Sequence, residues 1–284
     1  MSALTTVHQF HGLDAVEMIE RSGSRVVILR QGAQLLSWQP AGQAEQLYVS
    51  PCATYAAGVP VRGGVPVVFP QFADTGNLLK HGFARTKCWT IDAADPRDDW
   101  AEIVFCLSDD ADTRSVWPHT FALKLCIRLS ATTLEMHLTC INPGHSPFTF
   151  TSALHTYLAR DLMHTELHGL ESNQYWDKVN RMKGIERGER LKIRGEIDRI
   201  YQNVVGPLTL YESTCCAQQR LELEQAGFKD VVVWNPGAER CARLPDMPPQ
   251  GYRSMLCIEA AQIAQPVHLD AGQSWTGMQR LRLT

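Results

Sequence analysis

The feature of this sequence that most restricts its fold is an alternation of apolar and polar residues with a period of two. In residues 121–129, phenylalanine, leucine and isoleucine alternate with alanine, lysine, cysteine and arginine. This period is typical of β-strands, because successive side chains of a strand point to opposite faces of its sheet. We predict strands at residues 24–30, 33–39, 100–108, 121–129, 134–139, 148–159, 208–212, 220–224, 230–234, 255–260 and 274–283. Many short strands separated by turn residues predict an all-β sandwich or barrel rather than a βαβ fold.

Helix signals are few and short. Residues 109–116 predict a short helix capped by Asp109 or Asp110, and residues 239–244 give a weaker signal. The polar and charged segment 172–197 is interpreted as a long surface excursion, because strand patterns of the same character precede and follow it. Large all-β domains often reach this size, and the sequence shows no internal repeat. We therefore expect one domain over residues 1–284.

Charge and composition limit the partners that this chain can have. The formal net charge is −3 and no long basic run occurs, which argues against a nucleic-acid partner. No apolar run approaches the length of a membrane span, and the N-terminus lacks the pattern of a signal peptide. The 9 cysteines include no C-x-x-C motif, so we expect buried, reduced thiols and no zinc site. The expectation is a cytoplasmic monomer without metal, cofactor or membrane contact.

Polar clusters interrupt the apolar pattern and are candidates for chemistry. They lie at residues 62–85, 151–158, 195–201 and 255–261. In the first cluster, Arg62 and Arg85 stand beside glycine or alanine at predicted turns. Arginine is well shaped to bind a phosphate or carboxylate with two parallel hydrogen bonds, and small neighbours leave room for a ligand near the backbone. The first cluster therefore indicates an anion site.

His155 and Glu259 each lie in an apolar, strand-like run. Taken alone, such a histidine is more often structural than catalytic, and such a glutamate can face solvent. On facing strands, however, the two side chains can act as acid and base across a small substrate. A metal site has weak support, because His164 and His168 are four residues apart in a predicted strand or loop rather than in a helix.

An ordered set of motifs resembles the hexose-6-phosphate mutarotases, also called glucose-6-phosphate 1-epimerases, of the aldose 1-epimerase (galactose mutarotase-like) superfamily. The motifs are Arg62-Gly63-Gly64-Val65-Pro66, Phe69-Pro70-Gln71-Phe72, His81-Gly82-Phe83-Ala84-Arg85, Leu154-His155-Thr156-Tyr157, Tyr175-x-Asp177-Lys178, Glu196-Ile197-Asp198-Arg199-Ile200-Tyr201, Val233-Trp234-Asn235-Pro236 and Cys257-Ile258-Glu259. Each motif is modest alone, but their common order over residues 62–259 is specific.

The resemblance implies a galactose mutarotase-like β-supersandwich with few short helices and an open sugar cleft. It implies His155 as the catalytic acid and Glu259 as the catalytic base. It also implies Arg62 and Arg85 as the pair that binds the substrate, through its phosphate. Further substrate contacts are expected from Asp198, which would hold sugar hydroxyls, from Lys80 and His81, and from Trp234, which either stacks on a sugar face or packs in the core.

Three positions depart from the family pattern. Lys80 stands where glutamine is common, and a lysine there can add positive charge for a phosphate. Gly237 follows Trp-Asn-Pro where a large aromatic residue is common, which predicts a looser wall of the site. Ala260 and Ala261 follow the glutamate where glycine or proline is usual.

The implied function is that of an isomerase of the glucose-6-phosphate 1-epimerase type, which interconverts the α and β anomers of an aldohexose 6-phosphate. Glu259 would take the proton of the C1 hydroxyl while His155 gives one to the ring oxygen. Activity would then fall at low pH as Glu259 is protonated and at high pH as His155 loses its proton. Two alternatives stay open: a non-catalytic carbohydrate-binding or sugar-sensing protein, and a mutarotase of unphosphorylated aldoses. The expected partner is a small sugar phosphate.

Overall fold

The computed structural model of this chain describes residues 4–96, 100–213 and 218–284. Strands β1 to β7 span Leu4–Phe10, Leu13–Ile19, Arg25–Leu29, Leu35–Gln39, Val67–Val68, Thr90–Pro96 and Ala101–Ser108. Strands β8 to β14 span Ala122–Leu129, Thr133–Ile141, Phe148–Leu154, Tyr157–Ala159, Thr165–His168, Gln174–Asp177 and Met182–Ile185. Strands β15 to β21 span Arg190–Leu191, Ile197–Tyr201, Leu208–Ser213, Gln218–Ala226, Asp230–Asn235, Met255–Leu269 and Ser274–Leu283. The all-β prediction is therefore confirmed.

The described strands form three sheets of antiparallel neighbours. The first sheet has the order β1-β2-β3-β4. The second has the order β14-β13-β16-β19-β20-β10-β5, and β11 also pairs with β20. The third has the order β15-β12-β17-β18-β21-β9-β8-β7-β6. Long strand β20 lies at the centre of the second sheet and holds both β10 and β11 along one edge, which becomes important for the candidate site.

The alternation seen in the sequence becomes the inside–outside pattern of the sheets. In β8 and β9, every second residue is buried, as the period of two predicts. The main hydrophobic cluster joins all three sheets, with Trp38 of β4, Phe105 of β7 and Ile258 of β20 among its members. Each fully buried side chain of this size stabilises the fold by roughly 1.5–3 kcal/mol. A smaller cluster includes Tyr157 and Trp234, on the face of the second sheet that carries the candidate site.

Two short α-helices occur in the described residues. Helix α1 spans Ala111–Val116, and Asp110 caps it: its carboxylate accepts a hydrogen bond from the backbone N–H of Thr113, while its own N–H donates to the Thr113 hydroxyl. This reciprocal pair is a capping box, so the predicted helix is confirmed, and Asp110 is the cap of the two candidates. Helix α2 spans Gly237–Cys241, earlier than the predicted 239–244. Single 3₁₀ turns span Ala84–Thr86 and Gly251–Ser254.

The interpretation of residues 172–197 as a surface excursion is wrong in part. Strands β13 and β14 form a hairpin that extends the second sheet at its edge, and β15 extends the third. The Tyr175 ring covers Gly184, and the Arg199 guanidinium stacks on that ring at 4.3 Å from its centroid. Edge strands expose one side and tolerate charged residues, so this segment shows no alternation. The sequence patterns also missed β1, β2, β5, β6, β12 and β16.

The cysteines within the described residues are free thiols. Cys140, Cys241 and Cys257 are buried as expected, whereas Cys52 and Cys88 are exposed, so the expectation of buried thiols is wrong for these two. Cys215 and Cys216 lie outside the described residues. Across residues 4–96, 100–213 and 218–284, no helix has the length and apolar character that crossing a membrane requires.

Candidate active site

The candidate site is built on one face of the second sheet, where cross-strand partners line up in two adjacent rows. The first row runs across β16, β19, β20 and β11 through Asp198, Trp234, Cys257 and Tyr157. In the second row, Val232 of β19 pairs with Glu259 of β20. Residues two apart along a strand share a face, so both rows present their side chains to the same side.

His155 lies in a gap between two strands rather than inside one. Strand β10 ends one residue before it, β11 begins two residues after it, and both strands pair with β20 in the same register. Continued across the gap, that register puts His155 opposite Glu259, in the second row. The sequence prediction of one strand over residues 148–159 missed this interruption. The predicted acid and base are thus cross-strand neighbours.

His155 Nε2 and Glu259 Oε1 are 3.4 Å apart, within ion-pair distance. The glutamate is 1% exposed and the histidine 8%. Burial disfavours a charged form, so it lowers the pKa of His155 well below its ordinary value, and neighbouring positive charges lower this pKa further. Burial and the nearby Asp198 raise the pKa of Glu259 well above its ordinary value. Within the described residues, His155 Nδ1 and Glu259 Oε2 have no hydrogen-bond partner.

Both side chains line a cavity of about 260 Å³. The charged residues of its wall are Arg62, Lys80, Arg85, Lys178, Arg240, Asp198, Asp246 and Glu259. These are five basic side chains against three acidic ones, although the whole chain has a formal net charge of −3. A cleft with an excess of one charge concentrates ligands of the opposite charge. The cavity is therefore suited to an anion.

Arg62 is held in place from two sides. Its Nε donates to Asp246 Oδ2 at 3.0 Å, and its Nη1 donates to the hydroxyl of Tyr157 at 3.1 Å. Burial lowers the pKa of this guanidinium, but Tyr157 and Asp246 raise it overall, so Arg62 stays charged. Its remaining N–H groups can donate to an anion in the cavity.

The positive charge of Arg85 has fewer partners than that of Arg62 among the described residues. Its Nη2 donates to the carbonyl of Lys80 at 2.6 Å, and its Nε is buried without a hydrogen-bond partner among the described residues. Burial lowers the pKa of Arg85, and the positive charge of Arg62 lowers it as well. Arg85 is a half-buried cation that has no carboxylate partner within the described residues, so this position favours an anionic ligand. Burial of the Lys80 ammonium and the nearby charge of Arg240 lower the pKa of Lys80.

His81 is a neutral hydrogen-bond donor beside the acid–base pair. Its Nδ1 accepts a hydrogen bond from the backbone N–H of Ala73 at 3.3 Å, so in the neutral ring the proton is on Nε2. Burial, followed by the positive charge of Arg85, lowers the pKa of His81 to about 3. Its ring meets that of His155 edge-on, with 5.4 Å between centroids.

Asp198 is a carboxylate flanked by two cations. Its Oδ2 is 3.8 Å from Lys178 Nζ and 4.0 Å from Arg240 Nη1. Burial raises the pKa of Asp198, whereas Lys178 and Arg240 lower it. A carboxylate held in this way can accept hydrogen bonds from sugar hydroxyls without rearranging.

Trp234 packs in the core, one of the two roles that the sequence left open, and its contact with a sugar stays a prediction. It is 8% exposed and belongs to a hydrophobic cluster, yet its edge also lines the cavity. Its ring is edge-on to His155, at 6.1 Å between centroids, and the Tyr157 ring stacks on His155 at 4.7 Å. The two aromatic rings therefore fix the plane of the imidazole.

Asn235 anchors the loop that brings Arg240 and Asp246 to the cavity. Its Nδ2 donates to the carbonyls of Tyr252 and Met255, each at 2.8 Å. The next motif position, Gly237, has φ of 62°, and a Cβ there would lie 2.6 Å from the backbone nitrogen of Glu196. Gly237 itself does not line the cavity, and the expectation of a looser wall at this position stays a prediction.

The glycines beside the two arginines serve packing rather than a ligand. A Cβ on Gly64, where φ is 62°, would lie 2.1 Å from the carbonyl oxygen of Leu35. A Cβ on Gly82, where φ is 68°, would lie 2.1 Å from the carbonyl oxygen of Phe69. The expectation that these glycines leave room for a ligand is therefore wrong, and they instead allow close contact between backbone segments.

Asp246 and Arg240 are site residues that the sequence patterns did not single out. Both follow the Trp-Asn-Pro motif, Arg240 in helix α2 and Asp246 in the loop after it, and their charges look like those of any surface segment. Tyr157 and Lys178 were noted only as members of motifs. The one usable signal was that Tyr157 belongs to the same motif as His155, two residues away, and residues two apart in an extended segment point to the same side.

The two histidines considered for a metal take part in ion pairs instead. His164 Nε2 is 3.9 Å from Asp161, and His168 Nε2 is 3.6 Å from Glu166. Within the described ranges, no three histidine, cysteine, aspartate or glutamate side chains are grouped so that they can hold a metal ion. The absence of a metal site stays a prediction.

Comparison with known proteins places this chain among sugar epimerases. A family model described as aldose 1-epimerase matches residues 14–282. A relative from Escherichia coli named "Putative glucose-6-phosphate 1-epimerase" is 33% identical over 239 residues, which cover 83% of this chain and 79% of the relative. A relative of the same name from Salmonella typhimurium is 31% identical over 269 residues, which cover 93% of this chain and 89% of the relative.

Solved structures show the same fold. A crystal structure from Salmonella typhimurium, described as a "putative mutarotase", is 28% identical with a TM-score of 0.91, covering 99% of this chain and 94% of its own. A galactose mutarotase related enzyme from Lactobacillus acidophilus is 16% identical with a TM-score of 0.74, and the match covers 99% of this chain and 97% of that enzyme. The expected galactose mutarotase-like β-supersandwich with few short helices is confirmed.

Proposed function

Because the chain belongs to the aldose 1-epimerase family, whose activity is anomer interconversion, we propose that its substrate is an aldohexose 6-phosphate such as glucose 6-phosphate. The observation that carries this proposal is the charge of the cleft, with five basic side chains against three acidic ones. A phosphate ester has a charge of about −1.5 to −2 at neutral pH and complements this excess. Relatives named for glucose 6-phosphate support the same substrate class.

His155 and Glu259 supply the two proton transfers that ring opening needs. Glu259 takes the proton of the C1 hydroxyl while His155 gives a proton to the ring oxygen, so the bond between C1 and that oxygen breaks and an open-chain aldehyde forms. Rotation about the C1–C2 bond presents the other face of the aldehyde, and both proton transfers then run in reverse. The pair starts and ends with one proton between its members. After ring opening this proton is on Glu259, the arrangement that burial favours.

The cations of the cleft bind the phosphate. Arg62 donates from the N–H groups that Asp246 and Tyr157 leave free, and Arg85 supplies the charge that has no carboxylate partner among the described residues. Lys80 adds a third positive charge at the rim. Charge-assisted hydrogen bonds of this type are about twice as strong as neutral ones, so these residues determine the preference for a phosphorylated sugar.

The remaining polar groups orient the sugar ring. Asp198 accepts hydrogen bonds from ring hydroxyls, and the Nε2–H of His81 donates to an oxygen close to the reacting carbon. The edge of Trp234 forms an apolar wall on the same side as His155. Holding the substrate in this way leaves C1 and the ring oxygen between the acid and the base, which is the geometry that proton transfer requires.

Exchange NMR of the anomeric protons tests the proposal. We expect the rate of exchange between α- and β-glucose 6-phosphate to increase in proportion to protein concentration, well above the spontaneous rate. Unphosphorylated glucose should respond much less. Equal acceleration of glucose and glucose 6-phosphate would show a mutarotase of free aldoses, whereas binding without acceleration would show a sugar-binding protein.

The pH dependence of kcat/KM is expected to be bell-shaped, with its limbs assigned opposite to the sequence-based expectation. Below the depressed pKa of His155, which lies under 6.5, the pair holds two protons and contains no base. Above the raised pKa of Glu259, which lies over 4.5, the pair holds no proton and contains no acid. Activity therefore falls at low pH as His155 gains its proton, and at high pH as Glu259 loses the last one.

The phosphate of the substrate needs a control in this measurement, because its second ionisation occurs near pH 6. Profiles of kcat/KM against pH, recorded with glucose 6-phosphate and with glucose, separate the two effects. A limb that comes from His155 or Glu259 appears with both sugars, whereas a limb that comes from the phosphate appears only with glucose 6-phosphate. The ¹⁵N shifts of the His155 imidazole, followed over the same pH range, identify its limb of the profile: loss of the His155 proton on the high-pH limb with both sugars would contradict the assignment.

A further inference from the structure

The gap between β10 and β11 leaves the second sheet short of one hydrogen bond, directly beside the acid–base pair. Thr156 and Ile258 are opposite each other, where a regular antiparallel ladder would join them by two backbone hydrogen bonds. One is present: the Ile258 N–H donates to the Thr156 carbonyl at 3.1 Å. The Thr156 N–H donates instead to the carbonyl of Leu154 at 3.0 Å. The carbonyl of Ile258 therefore lacks its ladder donor.

Gln279, on β21 of the third sheet, supplies the missing donor. Its Nε2 donates to the Ile258 carbonyl at 3.1 Å, and its Oε1 accepts a hydrogen bond from the Thr156 hydroxyl at 2.6 Å. Thr156 is 0% exposed and Gln279 is 3% exposed. A buried polar group that loses its hydrogen-bond partner destabilises the fold, so the three groups are held in one arrangement.

We propose that Gln279 is a positioning residue for the anomer interconversion, which sets the separation of His155 and Glu259 by bonding to the residue next to each. The inference rests on the proposed function of that pair. Gln279 is not among the residues that line the cavity, so it acts through Thr156 and Ile258 rather than on the substrate. Proton transfer depends steeply on the distance between the reacting groups, and a small displacement of either strand reaches both of them.

The role needs an amide. A side chain at this position must present a donor to the Ile258 carbonyl and an acceptor to the Thr156 hydroxyl at the same time, which glutamine does with its two ends. Methionine has a similar length and shape but cannot donate a hydrogen bond. Gln279→Met therefore removes the link while keeping most of the packing.

We expect Gln279→Met to lower kcat for glucose 6-phosphate by about 10²-fold, the loss that a displacement of about 1 Å in reacting groups produces. KM should change by less than about 2-fold, because the cations that bind the phosphate are untouched. The matched control is Gln262→Met. Gln262 lies on β20, is 5% exposed and makes two hydrogen bonds, to Gln265 and from Lys229, away from the cavity. The Gln262→Met variant should have a lower melting temperature and an unchanged kcat.

Two variants of the partner residue test the same link independently. Thr156→Val keeps the shape of the side chain and removes the hydroxyl, so its kcat should fall in parallel with Gln279→Met. Thr156→Ser keeps the hydroxyl and should retain nearly normal kcat. If Gln279→Met does not fold, these two variants decide the question, and equal activity of the serine and valine variants would overturn the inference.

A readout without substrate separates this inference from the proposed function. The ¹⁵N shifts of the His155 imidazole, assigned by their loss in His155→Ala, report its hydrogen bond and protonation. They should change in Gln279→Met and stay unchanged in Gln262→Met. If the wild-type protein does not accelerate anomer exchange, the proposed function is overturned. The ¹⁵N shifts then test by themselves whether Gln279 positions His155. Wild-type shifts and kcat in Gln279→Met would overturn the positioning role and leave the function intact.

Discussion

Replacing Glu259 by glutamine is expected to slow the exchange of glucose 6-phosphate anomers by at least ~10²-fold, the lower end of the contribution of one acid–base group. Glutamine keeps the length and shape of the side chain, but its amide cannot take the proton of the C1 hydroxyl. The carboxyl group is 1% exposed and its site favours the uncharged form, so an amide fits there without a desolvation cost. The melting temperature should therefore stay the same or rise. Exchange NMR at saturating substrate and calorimetry measure the two effects.

The companion variants show whether the loss belongs to the pair. His155→Ala should also lose at least ~10²-fold, and the double variant should fall no further than the worse single one, because each group works only with the other. Glu166→Gln, on strand β12 of the third sheet, is the control for removal of a carboxylate and should retain activity. Near-normal turnover in Glu259→Gln would refute the assignment of the base.

Replacing Arg85 by methionine is expected to raise KM for glucose 6-phosphate by about 100-fold. The loss of two charge-assisted hydrogen bonds to the phosphate, at about 1.5 kcal/mol each, amounts to about 3 kcal/mol, which is about 100-fold in affinity. Arg85 makes a better test than Arg62, because Arg62→Met would also leave the carboxylate of Asp246 without its partner. The measurement is KM for the phosphorylated and the free sugar.

Free glucose provides the internal control for Arg85, since its KM should change by less than about 2-fold in the variant. Arg243 is an exposed arginine after helix α2, so Arg243→Met is the control for the loss of one positive charge from the protein. This variant should leave KM for glucose and KM for glucose 6-phosphate unchanged. Equal losses for glucose and glucose 6-phosphate would refute phosphate binding by Arg85 and point to a role in folding or in holding the sugar ring.

Strand positions were predictable where one face of a strand is buried and the other exposed. Strands β8, β9 and β21 fulfil this condition, and the period of two marks all three. The edge strand β14 and its hairpin partner β13 have two partly exposed faces, so their residues show no alternation. The two-residue strand β5 is too short to show a period at all. The sequence pattern therefore predicted the class of fold and missed short strands and strands near the sheet edges.

The site was predictable as a set of residue types and not as a geometry. The ordered motifs brought His155, Glu259, Arg62 and Arg85 to attention, and all four line the same cavity. The proposed order of their protonation differs from the sequence-based one, because desolvation acts on a folded environment that no local pattern contains. The glycines beside the arginines were misread for a related reason: the backbone segments that they contact are distant in sequence.

Local chemistry along the chain was thus enough to specify an all-β fold, and the motif order was enough to specify a sugar epimerase and to bring the proposed acid, base and cations to attention. Which charged and polar side chains pair with one another was decided only by the tertiary structure. Arg62 and its partner Asp246 are 184 residues apart, and Thr156 and Gln279 are 123 apart. Hydrogen bonds and Coulomb interactions depend on distance in space, and only the packing of the sheets and the loops between their strands brings these distant residues within a few ångströms.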